Sequence, residues 1–316
     1  MSGANKGKKI GKWWKVLLLV FSILIIGSGI YMYTLYEGAK NTVDKKMHQE
    51  VSAIDHEVTK KKIEEKKSLN ILLLGVDERL GDRGRSDALM VLSLDPNNNR
   101  SQLISIPRDT RAEMVGNSIH SGELDKINHA YAFGGIEMSI QTVENLLDFQ
   151  LDYYVKINME GLSKMVDAVG GIKVNNELQW TDVGYYQKGY TYKKGPINLN
   201  GPKTMGFVRM RYQDPNNDFG RNDRQRKVIQ AIIDKGASVG SVNKIDEMMD
   251  VLGSNVKTNM DFQTMKDLLL NYRNARQNMT TYQMTGTGTK IDGIYYLQVS
   301  EAEIQSVHDM IKEYSS

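Results

Sequence analysis

The stretch "NILLLGVDERLGDRGRSDALMVLSLDPNNNRSQLISIPRD", residues 70–109, contains three apolar runs of strand length separated by polar segments. The runs are "NILLLGVD" (70–77), "ALMVLSLD" (88–95) and "QLISIP" (102–107), and "PNNNR" between the second and third is a turn signal. The second and third runs therefore read as a hairpin. Antiparallel pairing sets the start of the second run, at Arg85 and Asp87, beside the end of the third, at Arg108. If the first run is also antiparallel to the second, its end at Asp77 joins the same edge, and two carboxylates and two guanidinium groups share one mouth.

Downstream, helical patterns are predicted at 126–133 and 136–147, then a strand "DYYVKIN" (152–158), a helix at 160–169 stopped by Gly170-Gly171, and a short strand "IKV". Further helices are predicted at 203–208, 223–237, 243–252, 262–275 and 300–314. Residues 68–316 thus read as one α/β domain. Upstream, "VLLLVFSILIIGSGIYMYTLY" (16–36) has no charged residue and, as a helix of about 31 Å, suffices for a bilayer core. No A-x-A cleavage site follows this long run, which favours an uncleaved transmembrane anchor over a signal peptide. The basic tail 1–15 precedes it, so the positive-inside rule keeps the N-terminus in the cytoplasm and exports the rest, a single-pass type II arrangement. Residues 37–67, with Val43, Met47, Val51, Ile54 and Val58 at spacings of three and four, predict a helical stalk with one narrow apolar stripe.

Charge narrows the function. Residues 1–15 carry five lysines and no acid, and 37–67 carry eight lysines against seven acids, which leaves 68–316 at −3 although the whole chain is +3. The main domain therefore lacks the positive field of a non-specific nucleic-acid binder. The absence of cysteine excludes disulfides, thiolate metal sites and a cysteine nucleophile. No H-E-x-x-H, G-x-S-x-G or G-x-G-x-x-G after a strand occurs, and "TGTGTK" lacks Walker A spacing. His129, with Ile127, Tyr131 and Phe133 nearby, reads as a structural histidine.

All thirteen arginines follow residue 78, and none falls between 112 and 208. Ten gather in three blocks: Arg79, Arg83 and Arg85; Arg108 and Arg111; Arg209, Arg211, Arg221, Arg224 and Arg226. The planar fork of arginine grips phosphate oxygens in pairs, so this distribution points to phosphate chemistry. Asp77 and Asp87 are hard oxygen ligands suited to one Mg²⁺ completed by water and phosphate oxygens; the plainer alternative is that each pairs with a neighbouring arginine. In "FVRMRYQDPNNDFGRNDRQRKVIQ" (207–230), Arg209 and Arg211 share a face if the segment is extended. After the "DPNND" turn a helix is predicted with Asn222 as N-cap; its inward face begins with Arg221, Arg224 and Gln225, while Arg226 and Lys227 fall on the solvent side. A first turn carrying inward arginines would be an anion site; alternatively Gln225 only caps and the arginines pair with Asp214, Asp218 or Asp223.

An N-terminal anchor followed by "LLLGVDER", "GRSDALMVLSLDP", "LISIPRDT", "KINHAYAFGG", "GGIKV", "LNG", "RMR" and "DFGRNDRQR" resembles the LytR-CpsA-Psr family of cell-wall enzymes, and with "GTGTKIDGIYYLQ" its teichoic-acid transferases from Gram-positive bacteria in particular. The resemblance implies a central mixed β-sheet between helices, with an apolar pocket for a lipid tail. It also implies Mg²⁺-dependent transfer of an anionic glycopolymer, wall teichoic acid by the subgroup, from a polyprenyl-pyrophosphate carrier to peptidoglycan, outside the membrane. By motif, Asp77 and Asp87 match the metal-associated acids. Arg85, Arg108, Arg209, Arg211 and Arg221 match the pyrophosphate-binding arginines, and Asp218 and Gln225 match polar site residues. Arg79, Arg224 and Asp109 belong to the same neighbourhood. The rival functions are a pyrophosphatase that hydrolyses the carrier and a membrane-bound regulator that contacts DNA; the topology opposes the second.

Overall fold

The structure is a computed structural model that describes the backbone of residues 12–78, 84–184, 186–236 and 252–315, and the side chains of these except residues 12–20 and 22–27. Helix α1 (Lys12–Thr42) passes into a π-helical turn, Val43–Met47, and α2 (His56–Glu64) leads to strand β1 (Leu69–Val76). β2 (Ser86–Asp95), β3 (Arg100–Ile106), the short β4 (Arg111–Glu113) and β5 (Leu124–Lys126), α3 (His129–Leu147), β6 (Tyr153–Asn158) and α4 (Met159–Ala168) follow. Next come β7 (Ile172–Asn176), β8 (Trp180–Thr181), β9 (Thr191–Tyr192), β10 (Gly195–Leu199), α5 (Gly201–Arg209) and α6 (Asn217–Gly236). The chain ends with β11 (Val256–Thr258), a helix Phe262–Asn271, β12 (Asn278–Gln283), β13 (Thr287–Ile291), β14 (Ile294–Gln298) and a helix Glu301–Ser315.

The central sheet has six strands in the order β11-β6-β1-β2-β3-β12. β1 is antiparallel to β2 and parallel to β6, β3 is antiparallel to β2 and parallel to β12, so the sheet is mixed. The side-chain period of two divides each strand between two apolar layers. Leu72, Leu74, Val76, Leu89, Val91, Ile104 and Ile106 pack on one face with Ile140 and Val143 of α3 and Val307 and Ile311 of the C-terminal helix. Ile71, Met90, Leu92, Leu103 and Tyr153 occupy the other face with Tyr272 and, from α6, Ile229 and Ile233. A smaller lobe built from α4, β7–β10 and α5 has its own core, where Trp180 stacks on Tyr192 at 4.4 Å and on Phe207 at 5.5 Å.

Several sequence expectations change. The helices predicted at 126–133 and 136–147 both form, the first starting later, at His129; they join as α3 across Gly135, whose φ of 68° and ψ of −148° are not helical. The predicted stalk at 37–67 is neither continuous nor free. Helix ends at Met47, extended backbone carries His48 into a parallel bridge with Thr258, and α2 starts only at His56, where Asp55 Oδ1 accepts from the Glu57 and Val58 amides. The apolar stripe is spent on the domain: Val43 and Met47 pack on Val256, and Val51 and Ile54 enter the main core, while Val58 stays exposed. The anchor predicted at 16–36 has a helical backbone, but the side chains of most of it lie outside the described residues; among the described residues no helix is long and apolar enough to cross a membrane. The helix predicted at 243–252 lies almost wholly outside the described residues.

Candidate active site

The hairpin register generates the site. Leu89 pairs with Ile106, and continuing that antiparallel count sets Asp87 opposite Arg108; Arg108 Nη1 donates to Asp87 Oδ1 at 2.6 Å. Val76 pairs with Ser86, which brings Asp77 to the same edge, where its amide donates to the Arg85 carbonyl at 3.2 Å. Arg209 reaches Asp77 from the smaller lobe, Nη2 to Oδ1 at 2.8 Å. Asp218 anchors the third group: Arg221 Nη2 lies 2.9 Å from Oδ2, Arg108 Nε 3.6 Å from Oδ2, and Arg211 Nε 3.4 Å from Oδ1. Asp109 completes the row, 3.7 Å from Arg108 Nε and 2.7 Å from Lys126 Nζ.

Asp77, Asp87, Arg108, Arg209, Arg211 and Arg221 border a cavity of about 680 Å³ that Trp180, Asp182, Val183, Tyr186, Met210 and Tyr212 also line. Charged and aromatic groups alternate there: Arg209 lies over Tyr186 at 5.1 Å and Arg211 over Tyr212 at 5.8 Å. Burial works against the charge of Arg108, but Asp218 and Asp87 outweigh it and raise its pKa. Arg221 goes the other way: burial is the largest cause, Asp218 opposes it, and the nearby Arg108 and Arg211 add to the depression. Arginine remains protonated even so, and four guanidinium groups stand among the carboxylates of Asp77, Asp87, Asp109 and Asp218. Arg108 Nε, Arg221 Nε and Asp218 Oδ1 are buried without a hydrogen-bond partner. Buried polar atoms normally have one, so this edge keeps unused hydrogen-bonding capacity, two donors and one acceptor.

Asp77 and Asp87 fit a hard cation in kind, since both are carboxylates on one cavity wall. Among the described residues no group of three or more His, Cys, Asp or Glu stands together, so a Mg²⁺ there would complete its shell with water and ligand oxygens.

The local structure around the predicted site residues differs from expectation at several points. Arg209 and Arg211 are not an extended pair: Arg209 ends α5, Met210 is its extended C-cap, and Arg211 follows in the turn. They reach different carboxylates of one cluster because the chain turns between them. Asn222 is not an N-cap, because α6 begins at Asn217, so the arginines sit beyond the first turn and gain little from the helix dipole. The predicted inward face holds for Arg221, Arg224 and Gln225, all buried, and Gln225 Oε1 has no partner. Arg224 is turned away from the phosphate edge: its guanidinium bonds Asp214 Oδ2, the Phe207 carbonyl at 2.9 Å and the Met210 carbonyl, and lies 5.4 Å over Trp180. Gly220 makes room for this lock, since a Cβ there would stand 2.0 Å from Asp214 Oδ2. Arg226 is not a solvent group; it is buried and bonds Gln283 at 2.8 Å, Ser105 at 3.2 Å and Asp223 at 3.1 Å, tying α6 to the sheet. Arg85 is exposed beside the mouth, and Arg79 lies outside the described residues. His129 Nδ1 is 2.7 Å from Asp125 Oδ2, a structural pair at the start of α3. The aromatic wall, Trp180, Tyr186 and Tyr212, was not legible beforehand, because nothing in local spacing ties it to the arginine blocks.

The hairpin edge of a mixed sheet thus gathers arginines and carboxylates at a cavity that also has aromatic residues in its wall. The sequence profile described as "LytR_cpsA_psr family" matches residues 30–313, and the chain belongs to that family. It is 42% identical over 297 residues, 94% of each chain, to "Polyisoprenyl-teichoic acid--peptidoglycan teichoic acid transferase TagU" of Bacillus subtilis. The crystal structure of B. subtilis TagU matches with a TM-score of 0.64 at 40% identity, covering 79% of this chain and 97% of that one. The structure titled "TagT bound to LIIa-WTA" matches with a TM-score of 0.68 at 28% identity, covering 79% and 91%.

Proposed function

We propose that this chain transfers an anionic glycopolymer from a polyprenyl-pyrophosphate carrier to peptidoglycan and releases polyprenyl phosphate, working outside the membrane to which residues 16–36 anchor it. The observation that carries the reading is the pairing, in one cavity, of partnerless buried guanidinium nitrogens on Arg108 and Arg221 with an aromatic and apolar wall. That is the complement of an amphiphile with a phosphate head and a hydrocarbon tail. The printed names of the TagU relatives and the titled ligand of the TagT structure support it.

In this reading Arg108, Arg209, Arg211 and Arg221 hold the pyrophosphate and neutralise the charge that grows on its oxygens. Asp77 and Asp87 would hold Mg²⁺, which supplies further neutralisation of the same oxygens. A sugar hydroxyl of the acceptor, expected to be that of N-acetylmuramic acid, attacks the polymer-side phosphorus. Its proton passes to the Asp218 carboxylate, whose Oδ1 is buried without a hydrogen bond. The bond from that phosphorus to the bridging oxygen breaks, and the lipid phosphate leaves with the bonding electrons.

The test incubates the full chain with labelled carrier-linked polymer and isolated peptidoglycan, and separates polymer bound to glycan from free polymer phosphate. Label on the glycan is expected, with Arg108→Ala and Asp87→Ala both inactive and folded. Full activity in either variant, or release of free polymer phosphate alone, overturns the proposal; the latter result would mark a pyrophosphatase.

A further inference from the structure

A second cavity of about 370 Å³ shares Arg211 with the first, and Asp218, which lines the second, lies 2.9 Å from Arg221 and 3.6 Å from Arg108 of the first. Its character differs. Asn216, Asn222, Phe219 and Tyr295 line it, and it holds the acids Asp109 and Asp218 against one arginine, so nothing there favours a second phosphate. Neutral amides beside aromatic faces are the chemistry that recognises a sugar ring through its hydroxyls and its apolar face. The location also meets the demand of the reaction. A displacement at phosphorus runs in line, so the attacking oxygen enters opposite the leaving lipid phosphate, and among the described residues Arg211 alone lines both cavities.

We infer that this second cavity is the subsite for the acceptor sugar, with Tyr295 as the aromatic platform under the ring and Asp218 facing the hydroxyl that attacks. The inference rests on the transferase reading above. It also gives a use to "TGTGTK", which has no nucleotide-loop spacing. Gly288 of β13 pairs with Leu297 of β14 and lies diagonal to Tyr295, whose ring crosses it: a Cβ at Gly288 would stand 2.9 Å from Tyr295 Cε2 and Oη. Glycine there lets the ring lie across its partner strand, within 6.0 Å of Lys126 Nζ, which in turn holds Asp109. Burial and the carboxylates of Asp109 and Asp218 raise the pKa of the Tyr295 phenol, which keeps the ring neutral at physiological pH.

The experiment compares the detergent-solubilised full chain with Tyr295→Ala, Tyr295→Phe and Gly288→Ala. A soluble uncrosslinked peptidoglycan oligosaccharide is titrated calorimetrically, and transfer is measured with acceptor and donor varied separately. Tyr295→Ala and Gly288→Ala are expected to raise the acceptor KM and the oligosaccharide Kd by about tenfold, the scale of one lost aromatic contact, with donor KM unchanged. Tyr295→Phe keeps the ring and is expected to retain wild-type values. Wild-type acceptor KM and Kd in Tyr295→Ala overturn the subsite while leaving the transferase reading intact, and so does an equal rise in donor KM. Oligosaccharide binding that is lost in Tyr295→Ala, in a chain that transfers no polymer, supports the subsite and sinks the transferase reading instead.

Discussion

Replacing Arg224 by Ala separates two roles that sequence motif and structure assign differently. By motif it falls in the neighbourhood of the phosphate-binding arginines, as a substrate-binding candidate; in the structure it is 5% exposed and bound to Asp214, Phe207 and Met210. Burial depresses its pKa and the bond to Asp214 only partly restores it, so the charge is held at a cost that its partner offsets. Truncation leaves the Asp214 carboxylate, 7% exposed, without a counter-ion and two carbonyls without donors. Breaking one member of a buried pair costs about 3–5 kcal/mol. At roughly 2–4 °C per kcal/mol for a domain of this class, the melting temperature should fall by about 10 °C. Thermal unfolding of the detergent-solubilised chain by circular dichroism measures it, with inorganic pyrophosphate binding followed below the transition. Binding should be retained. A melting temperature within about 2 °C of wild type together with a tenfold loss of pyrophosphate affinity would refute the structural role and return Arg224 to the phosphate site.

Further outcomes follow from the same geometry. Asp218→Asn should lower kcat for transfer by about 10²-fold or more while donor KM stays level or falls, because a proton acceptor is lost and three arginines lose a competitor for phosphate; unchanged kcat would remove Asp218 from proton transfer. Ile54→Ala should destabilise the chain by about 2–4 kcal/mol, since Ile54 is part of the main core, whereas a free stalk would register almost nothing in a denaturant titration. Asp95 is buried, which raises its pKa, but hydrogen bonds from Asn98 and Arg100 more than compensate and the net shift is downward. Its contribution to stability is therefore present above the unfolded carboxylate pKa of about 4 and is lost as pH falls below that value. Asp95→Asn should flatten the fall in melting temperature between pH 5 and 3, and an unchanged slope would exclude that carboxylate as a source of acid sensitivity.

The stretch 70–109 alone established the hairpin and the mouth that joins Asp77, Asp87 and Arg108, because both are local consequences of antiparallel register, in which residue numbers across a turn add to a constant. The inward face of α6 was legible for the same reason: helical period fixes which residues share a side, so Arg221, Arg224 and Gln225 fall together whatever lies opposite. The alternative that these arginines pair with Asp218, Asp214 and Asp223 was legible too, and Arg221, Arg224 and Arg226 do so. What local spacing cannot encode is the remainder: Arg221 also lines the cavity, Arg224 also bonds the Phe207 and Met210 carbonyls, and Arg226 also bonds Gln283 and Ser105, 57 and 121 residues away. The stalk failed likewise, since an apolar stripe states that a face will be buried and leaves open by what; β11 and the main core supply that answer. Sequence by itself therefore determined register, periodicity and residue chemistry, while the tertiary structure decided which arginines line the cavity and which are spent inside the scaffold, because that depends on partners far away in the chain.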